Sequence, residues 1–254
     1  MPKHQFYGEL AEWWPLVSPV DEYTEEAGFF ADLIRGAENP VNCVLELGSG
    51  GGHNAFHMKA YFKLTLVDIS DEMLAVSSLL NPECEHSAGD MRSARLGRDF
   101  DAVFVHDAVD YMASADELSQ VIETAFHHCR PGGIAVFAPD RTKETFKEEH
   151  DCDGNDDDNG RGVRYLEWTW DPDPGDDWAL TEYSFLLRET DGSVRAVHET
   201  HRIGVFSRER WLKFIAEAGF ESEAITEVTT EDREPREVFV GRRPTRRYAD
   251  RARA

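Results

Sequence analysis

Lysine is scarce in this sequence, cysteine is unpatterned and long apolar runs are missing, and each absence excludes something. Asp and Glu together number 50 against 27 Lys and Arg, which gives a formal net charge of -23 over 254 residues. A surface of that sign repels phosphate backbones and disfavours a nucleic-acid substrate unless folding conceals a basic patch. The basic residues are mostly Arg, a bias that fits a high-GC genome or a salt-adapted host and says nothing about chemistry. Cys43, Cys84, Cys129 and Cys152 stand far apart without Cys-x-x-Cys spacing, so reduced, mostly buried thiols are expected and not a disulfide frame or a zinc site. No run of about eighteen apolar residues exists, and the N-terminal Met-Pro-Lys-His-Gln-Phe has no apolar signal core. A membrane span is therefore not expected, and the cytoplasm is the expected compartment.

What is present is organised around Val44-Leu45-Glu46-Leu47-Gly48-Ser49-Gly50-Gly51-Gly52. The apolar run reads as a buried strand that ends in a carboxylate and opens into glycines, where a ligand can lie against backbone N–H groups. A helix over His53 to Tyr61 would aim its positive end at the same spot. Leu64 to Asp68 is a second such strand, and a carboxylate at Asp68 can accept from both hydroxyls of an adenosine ribose. Gly89-Asp90-Met91 follows a third, weak strand and suits an adenine, through an acceptor for its amine and a thioether for its face. Phe100 to His106 is a fourth strand that delivers Asp107 to Tyr111 to the same edge, and Arg130-Pro131-Gly132-Gly133 turns into a fifth from Ile134 to Ala138. Such successive βα units imply right-handed crossovers and a parallel sheet with its ligand at the carboxyl ends of the strands.

Helices are expected at Tyr23 to Gly36, with Asp21 near its N-cap, and after the caps Ser70, Ser114 and Ser207. The aromatic segment from Tyr7 to Ser18 reads as a short helical lid. Asp151 to Gly160 reads as a mobile acidic loop; it lacks the glycine at position six and the glutamate at position twelve of a calcium-binding frame. Three strands follow, Val163 to Trp170, Trp178 to Arg188 and Val194 to Arg202, the last two joined by an Asp191-Gly192 turn. Strands near Ser222 to Val228 and Arg236 to Gly241 close the chain, before an Arg-rich tail over 242–254. His198 and His201, three apart on a strand, point to opposite faces and do not make a metal pair.

Glu46 to Gly52, Asp68-Ile69-Ser70-Asp71-Glu72-Met73, Gly89-Asp90-Met91 and Arg130 to Gly133 appear in the order that resembles the class I S-adenosylmethionine (SAM) methyltransferases. Tyr23 to Ala27 and His198 to Gly219 extend the likeness to small-molecule enzymes that include the amino-sugar N-methyltransferases. The resemblance spans about residues 5 to 240, and the acidic loop departs from it. It implies an α/β fold: a doubly wound, Rossmann-like seven-stranded sheet, parallel with one antiparallel strand, plus an inserted antiparallel β hairpin sheet and an N-terminal helical lid. The expected layout is one domain over 1–241, with lid 1–36, core 37–140 and 207–241, and insertion 141–206.

The resemblance implies methyl transfer from SAM, with S-adenosylhomocysteine (SAH) as product, to a small-molecule acceptor, an amine more than an alcohol, with a homodimer left open. Cofactor contacts are expected from Tyr23, Glu46, Gly48, Ser49, Gly50, Asp68, Ile69, Met73, Gly89, Asp90, Met91 and His106. Acceptor contacts are expected from Tyr7, Trp14, Asp110, Tyr111, Trp168 and Tyr183, with His106 and Tyr111 as the catalytic candidates and His106 or Asp110 as a base for an alcohol. The lid aromatics could equally form an apolar clasp. A nicotinamide-dependent oxidoreductase and a non-catalytic SAM-binding protein are the rival readings.

Overall fold

The computed structural model describes residues 4–227, 229–230 and 235–245, so the tail from 246 onward lies outside the described residues. In chain order the elements are α1 (Trp14–Val17), α2 (Thr24–Arg35), β1 (Cys43–Leu47), α3 (His53–Met58), β2 (Lys63–Asp68), α4 (Asp71–Leu80), β3 (Glu85–Ala88) and β4 (Phe100–Val105). There follow α5 (Ala115–His128), β5 (Cys129–Phe137), β6 (Glu149–Asp153), β7 (Gly162–Trp170), β8 (Trp178–Arg188), β9 (Val194–Gly204), α6 (Arg208–Ala218), β10 (Glu221–Glu227) and β11 (Arg236–Arg242). Seven strands form one sheet in the order β10-β11-β5-β4-β1-β2-β3, in which β11 runs antiparallel to both its neighbours. The other four, β6-β7-β8-β9, form a separate antiparallel sheet.

Strand periodicity explains why the large sheet is covered on both faces. Leu45, Val103, Val105 and Phe137 point to one side, where Leu118, Val121, Ile122 and Ala125 of α5 and Trp211 and Ile215 of α6 meet them. Val44, Ala102, Phe104 and Val136 alternate to the other side, against Ala27, Phe30 and Ile34 of α2 and Met58 of α3. A strand buried on both faces has no use for polar alternation, which is why these segments read as continuous apolar runs. Ser70, Ser114 and Ser207 cap α4, α5 and α6, accepting from Met73 N, Glu117 N and Arg210 N.

Several local expectations are corrected. Asp21 does not cap α2; a 3-10 turn over Val20–Tyr23 leads into the helix, and Thr24 Oγ1 donates to the Asp21 carbonyl. The helix α3 stops at Met58, short of Tyr61, and β5 begins at Cys129, so the Arg130–Gly133 turn is an irregularity inside the strand opposite Phe100 and Ala102. The acidic segment is not simply a loop: Glu149–Asp153 pairs with β7 as an edge strand, and Asp156 holds Arg164 at 2.8 Å and Arg188 at 2.7 Å. Its charge therefore has partners on the neighbouring strands, which charge density alone did not show.

The lid packs on the small sheet. Phe6, Leu10 and Trp13 form an apolar cluster with Val163, Phe185 and Leu187, so Trp13 belongs to a clasp. Odd-numbered residues of β7 face this cluster, and the even-numbered Leu166 and Trp168 are each 45 % exposed on the opposite face. That alternation removes Trp168 from the acceptor contacts: its indole N–H donates to Glu148 and its ring stacks on Trp170.

Candidate functional site

The carboxyl ends of β1, β2, β4 and β5 open into a cavity of about 620 Å³, roofed by the lid and by β7 and β8. Every residue named above as a contact lines it except Trp168. Gly48 adopts φ +73°, where a Cβ would collide with Ala108 beyond β4, so the chain can pass there only as glycine. Asp68 spans the loop, accepting from Gly50 N and from Ser70 N at 2.8 Å each. Burial still raises its pKa against those bonds.

Glu46 is 3 % exposed, and its Oε2 has no hydrogen-bond partner, nor has the buried Ser49 Oγ. Burial pushes the Glu46 carboxyl up to about 8. A buried carboxyl with an unpartnered oxygen beside open glycines, which a neighbouring cation would ionise, fits a cationic amino-acid end such as that of SAM. Asp90, expected as an acceptor for the adenine amine, is paired with Arg92 at 2.6 Å, which holds its pKa down, and Arg92 also reaches Glu117 at 2.7 Å. Met73 and Met91 flank the glycine loop.

His106 is set among charges. Its Nδ1 lies 2.9 Å from Asp107, and its Nε2 lies 3.3 Å from Glu26 and 3.1 Å from Arg236. Burial lowers the imidazole pKa, but Asp107 and Glu26 outweigh it and raise the group to about 10. With both ring nitrogens engaged, no lone pair is free, and the base role expected of His106 is corrected on that ground. Arg236, 6 % exposed, binds Glu26 at 3.0 Å, Glu227 at 2.7 Å, Asp107 at 3.0 Å and Asp140 at 3.2 Å. It ties α2, β4, β5 and β10 together directly behind the cavity.

On the side of the small sheet the lining is aromatic and acidic: Tyr7, Tyr111, Tyr165 and Tyr183 with Asp110, Asp140 and Glu167. Asp110 Oδ2 accepts from Asp140 N at 2.9 Å, its Oδ1 is unpartnered, and burial followed by the Asp140 charge raises its pKa well above the usual range. Burial and Asp107 raise Asp140 to about 6, against Arg236 and Arg141. Glu167 is also raised, chiefly by burial. The Tyr7 and Tyr111 hydroxyls are 2.8 Å apart, and Tyr111 reaches His201 Nδ1 at 2.7 Å. Trp14 Nε1 donates to His53 Nδ1 at 2.8 Å, a ring that burial lowers to about 4 and so keeps neutral. Tyr23 bonds Ser18 at 2.8 Å at the lid's hinge with α2.

Sequence reasoning missed Asp107, Asp140, Glu167, His201 and Arg236. Asp107 and Asp140 follow buried strands just as Asp68 closes one, so the same rule could have found them. For Arg236, three of whose four acidic partners (Glu26, Asp107 and Asp140) lie far away in the chain, no local signal exists.

A family model described as a methyltransferase domain matches residues 44–133. A dTDP-3-amino-3,6-dideoxy-alpha-D-glucopyranose N,N-dimethyltransferase of Streptomyces fradiae is 27 % identical over 226 residues, 87 % of this chain and 88 % of that one. The crystal structure of DesVI from Streptomyces venezuelae aligns with TM-score 0.78 and 26 % identity over 88 % of this chain and 92 % of that chain. The chain carries a methyltransferase domain and is a SAM-dependent methyltransferase. SAM-bound CalS10, an amino pentose methyltransferase from Micromonospora echinaspora, also aligns with this enzyme, at TM-score 0.73 and 26 % identity over 86 % of this chain and 90 % of that chain. SAM is the methyltransferase's cofactor. Neither the nicotinamide-dependent nor the non-catalytic reading draws support from these relatives. Among the described residues no helix is long and apolar enough to cross a membrane.

Proposed function

We propose that the enzyme N-methylates the amino group of a small acceptor, an amino sugar. The observation that carries this reading is the acidic, aromatic lining opposite the glycine loop, where Asp110, Asp140 and Glu167 face one cavity with Tyr7, Tyr111 and Tyr183. An amine arrives as an ammonium ion, which such carboxylates attract, and the aromatic rings give a sugar ring apolar surface to lie on. The names of the relatives, which act on amino sugars, point the same way.

Glu46 and Ser49 would hold the amino-acid end of SAM, Asp68 and Ile69 its ribose side, and Met73, Gly89, Asp90 and Met91 the adenine. When bound, SAM supplies an electrophilic methyl group on its sulfonium. The chain's own task is to strip the acceptor nitrogen of a proton, aim it and keep water out. Asp140, raised to about 6, is ionised at neutral pH and can take that proton. His106, locked between Asp107, Glu26 and Arg236, holds the loop that carries Asp110 and Tyr111 in place. The lid closes the cavity through the Trp14–His53 bond and through Ser70 Oγ donating to the Tyr7 carbonyl.

The test is incubation with SAM and a panel of amino sugars, free and nucleotide-linked, each beside its hydroxyl counterpart, followed by mass spectrometry. One or two added methyl groups on the amines alone are expected. Methylation confined to the hydroxyl compounds, or to protein or tRNA, would overturn the reading.

A further inference from the structure

Glu199 and His201 have no part in the chemistry described so far, yet both are buried on the inward face of β9, at 8 % and 0 % exposure, and His4 meets them from the N-terminal segment. We propose that His4, Glu199 and His201 form a zinc site that pins the N-terminal lid to the small sheet. The site is independent of which acceptor the enzyme methylates.

The bonds around His201 show which of its nitrogens is free. The Tyr111 hydroxyl donates its one proton to the Tyr7 hydroxyl at 2.8 Å, so towards His201 Nδ1, 2.7 Å away, its oxygen can only accept. Nδ1 therefore carries the ring proton, and in a neutral imidazole Nε2 keeps its lone pair. That lone pair faces Glu199 Oε2 at 3.1 Å, and a carboxylate oxygen has nothing to donate. Two buried acceptors so close together repel unless something positive lies between them. A proton serves two atoms, but a third converges here: His4 Nδ1 lies 3.7 Å from the same Oε2. A cation satisfies all three. Burial pushes both imidazoles down to about 4, which leaves the rings neutral, as metal ligands must be.

Two imidazoles and a carboxylate suit zinc, whereas calcium and magnesium prefer all-oxygen sets. The three donor atoms lie within 4.8 Å of one another, and the separations of 3.1 and 3.7 Å bracket the roughly 3.3 Å between ligand atoms on a tetrahedral zinc ion. The imidazole centroids, 3.8 Å apart, must open to roughly 5 Å, a splay that His4 can supply because it lies outside every helix and strand.

Both buried ligands are already held from behind, as metal ligands usually are. Tyr111 accepts the Nδ1 proton of His201, and Glu199 Oε1 accepts from Phe6 N at 2.7 Å. The edge of the Tyr183 ring, 4.8 Å away between centroids, fixes the plane of the His201 imidazole. Strand periodicity parts His201 from His198, which reaches Glu182 on the outer face; folding supplies His4 in its place. Because His4 stands just before Phe6, whose ring stacks on Phe185, an ion there would fasten the lid where its apolar clasp begins.

The test takes the untagged full chain, stripped with a chelator, and titrates it with zinc chloride by calorimetry. One ion per chain with a Kd below about 1 μM is expected, and zinc at about 100-fold excess over that Kd should raise the melting temperature by about 5 °C. His4→Ala should weaken binding at least about 100-fold and remove the rise, whereas His198→Ala, on the outer face, should change neither. Zinc should also slow amide hydrogen exchange over residues 6–13 in the wild type and not in His4→Ala. Absence of zinc binding, binding that His4→Ala and His201→Asn retain in full, or lid exchange that zinc leaves unchanged would each overturn the proposal. A His201 ring protonated on both nitrogens at pH 7 by imidazole nitrogen-15 NMR, in a chain that takes up no zinc, would replace the ion by an imidazolium–carboxylate pair.

Discussion

Replacing Glu46 by Gln removes one charge from a buried place and tests how the cofactor is recognised. The Glu46 carboxyl, raised to about 8 by burial, is mostly protonated at pH 7 in the free enzyme. If it meets the ammonium of SAH as a carboxylate, binding must drive off that proton, and affinity should climb roughly ten-fold per pH unit below pH 8 and level off above it. At pH 7 the linked deprotonation costs about 1.4 kcal/mol and releases close to one proton. Calorimetry at pH 6, 7 and 8, in buffers of different ionisation enthalpy, measures both quantities. Glu46→Gln should bind SAH more weakly at pH 8 and show neither the slope nor the proton release. The variant should also be more stable without ligand. A carboxyl whose folded pKa lies above its unfolded value confers stability that is complete below about 4.5 and is lost as pH rises through about 8, and Gln escapes that loss. Flat wild-type affinity from pH 6 to 8, equal to that of the variant, would refute the assignment of Glu46 to the amino-acid end of the cofactor.

Asp140→Asn should abolish the limb of the kcat/KM profile that rises with pH through about 6, where the carboxyl ionises, and lower the plateau by about 100-fold; an unchanged limb would remove Asp140 as proton acceptor. Arg236→Met should cost about 3–5 kcal/mol in urea unfolding, because Glu227, Glu26 and Asp107 lose one shared cation in a buried place. A loss below about 1 kcal/mol would mean that the acids are held by other means. Trp168→Ala should leave kcat/KM within about two-fold while Tyr183→Ala lowers it at least about ten-fold, since only the latter lines the cavity. The reverse pattern would show that the outer face of the small sheet, not the cavity, binds the acceptor.

Local chemistry determined a good deal of this protein. A buried strand must be apolar, a carboxylate that ends one needs a reason, and glycines are needed where backbone bends to positive φ against a neighbour, so β1, the Gly48 turn and β2 were legible from consecutive residues. The order of such units fixed the doubly wound parallel sheet, the resemblance to the methyltransferases supplied its antiparallel β11, and the Asp191-Gly192 turn fixed the β8–β9 hairpin. Tertiary structure decided whatever depended on partners far away in the chain. Trp168 and Tyr183 read alike as strand aromatics, and only the docking of Phe6 and Leu10 shows which face of the small sheet is inside. His106 carries no mark in the sequence of being enclosed by Glu26, Asp107 and Arg236, yet that enclosure takes away its lone pairs. The same holds for His201: its exclusion from a pair with His198 follows from strand periodicity, but its bond to Tyr111 is made across 90 residues. A side chain's type and its strand face are local properties, whereas its protonation state and its role depend on the field of all the charges that folding gathers around it.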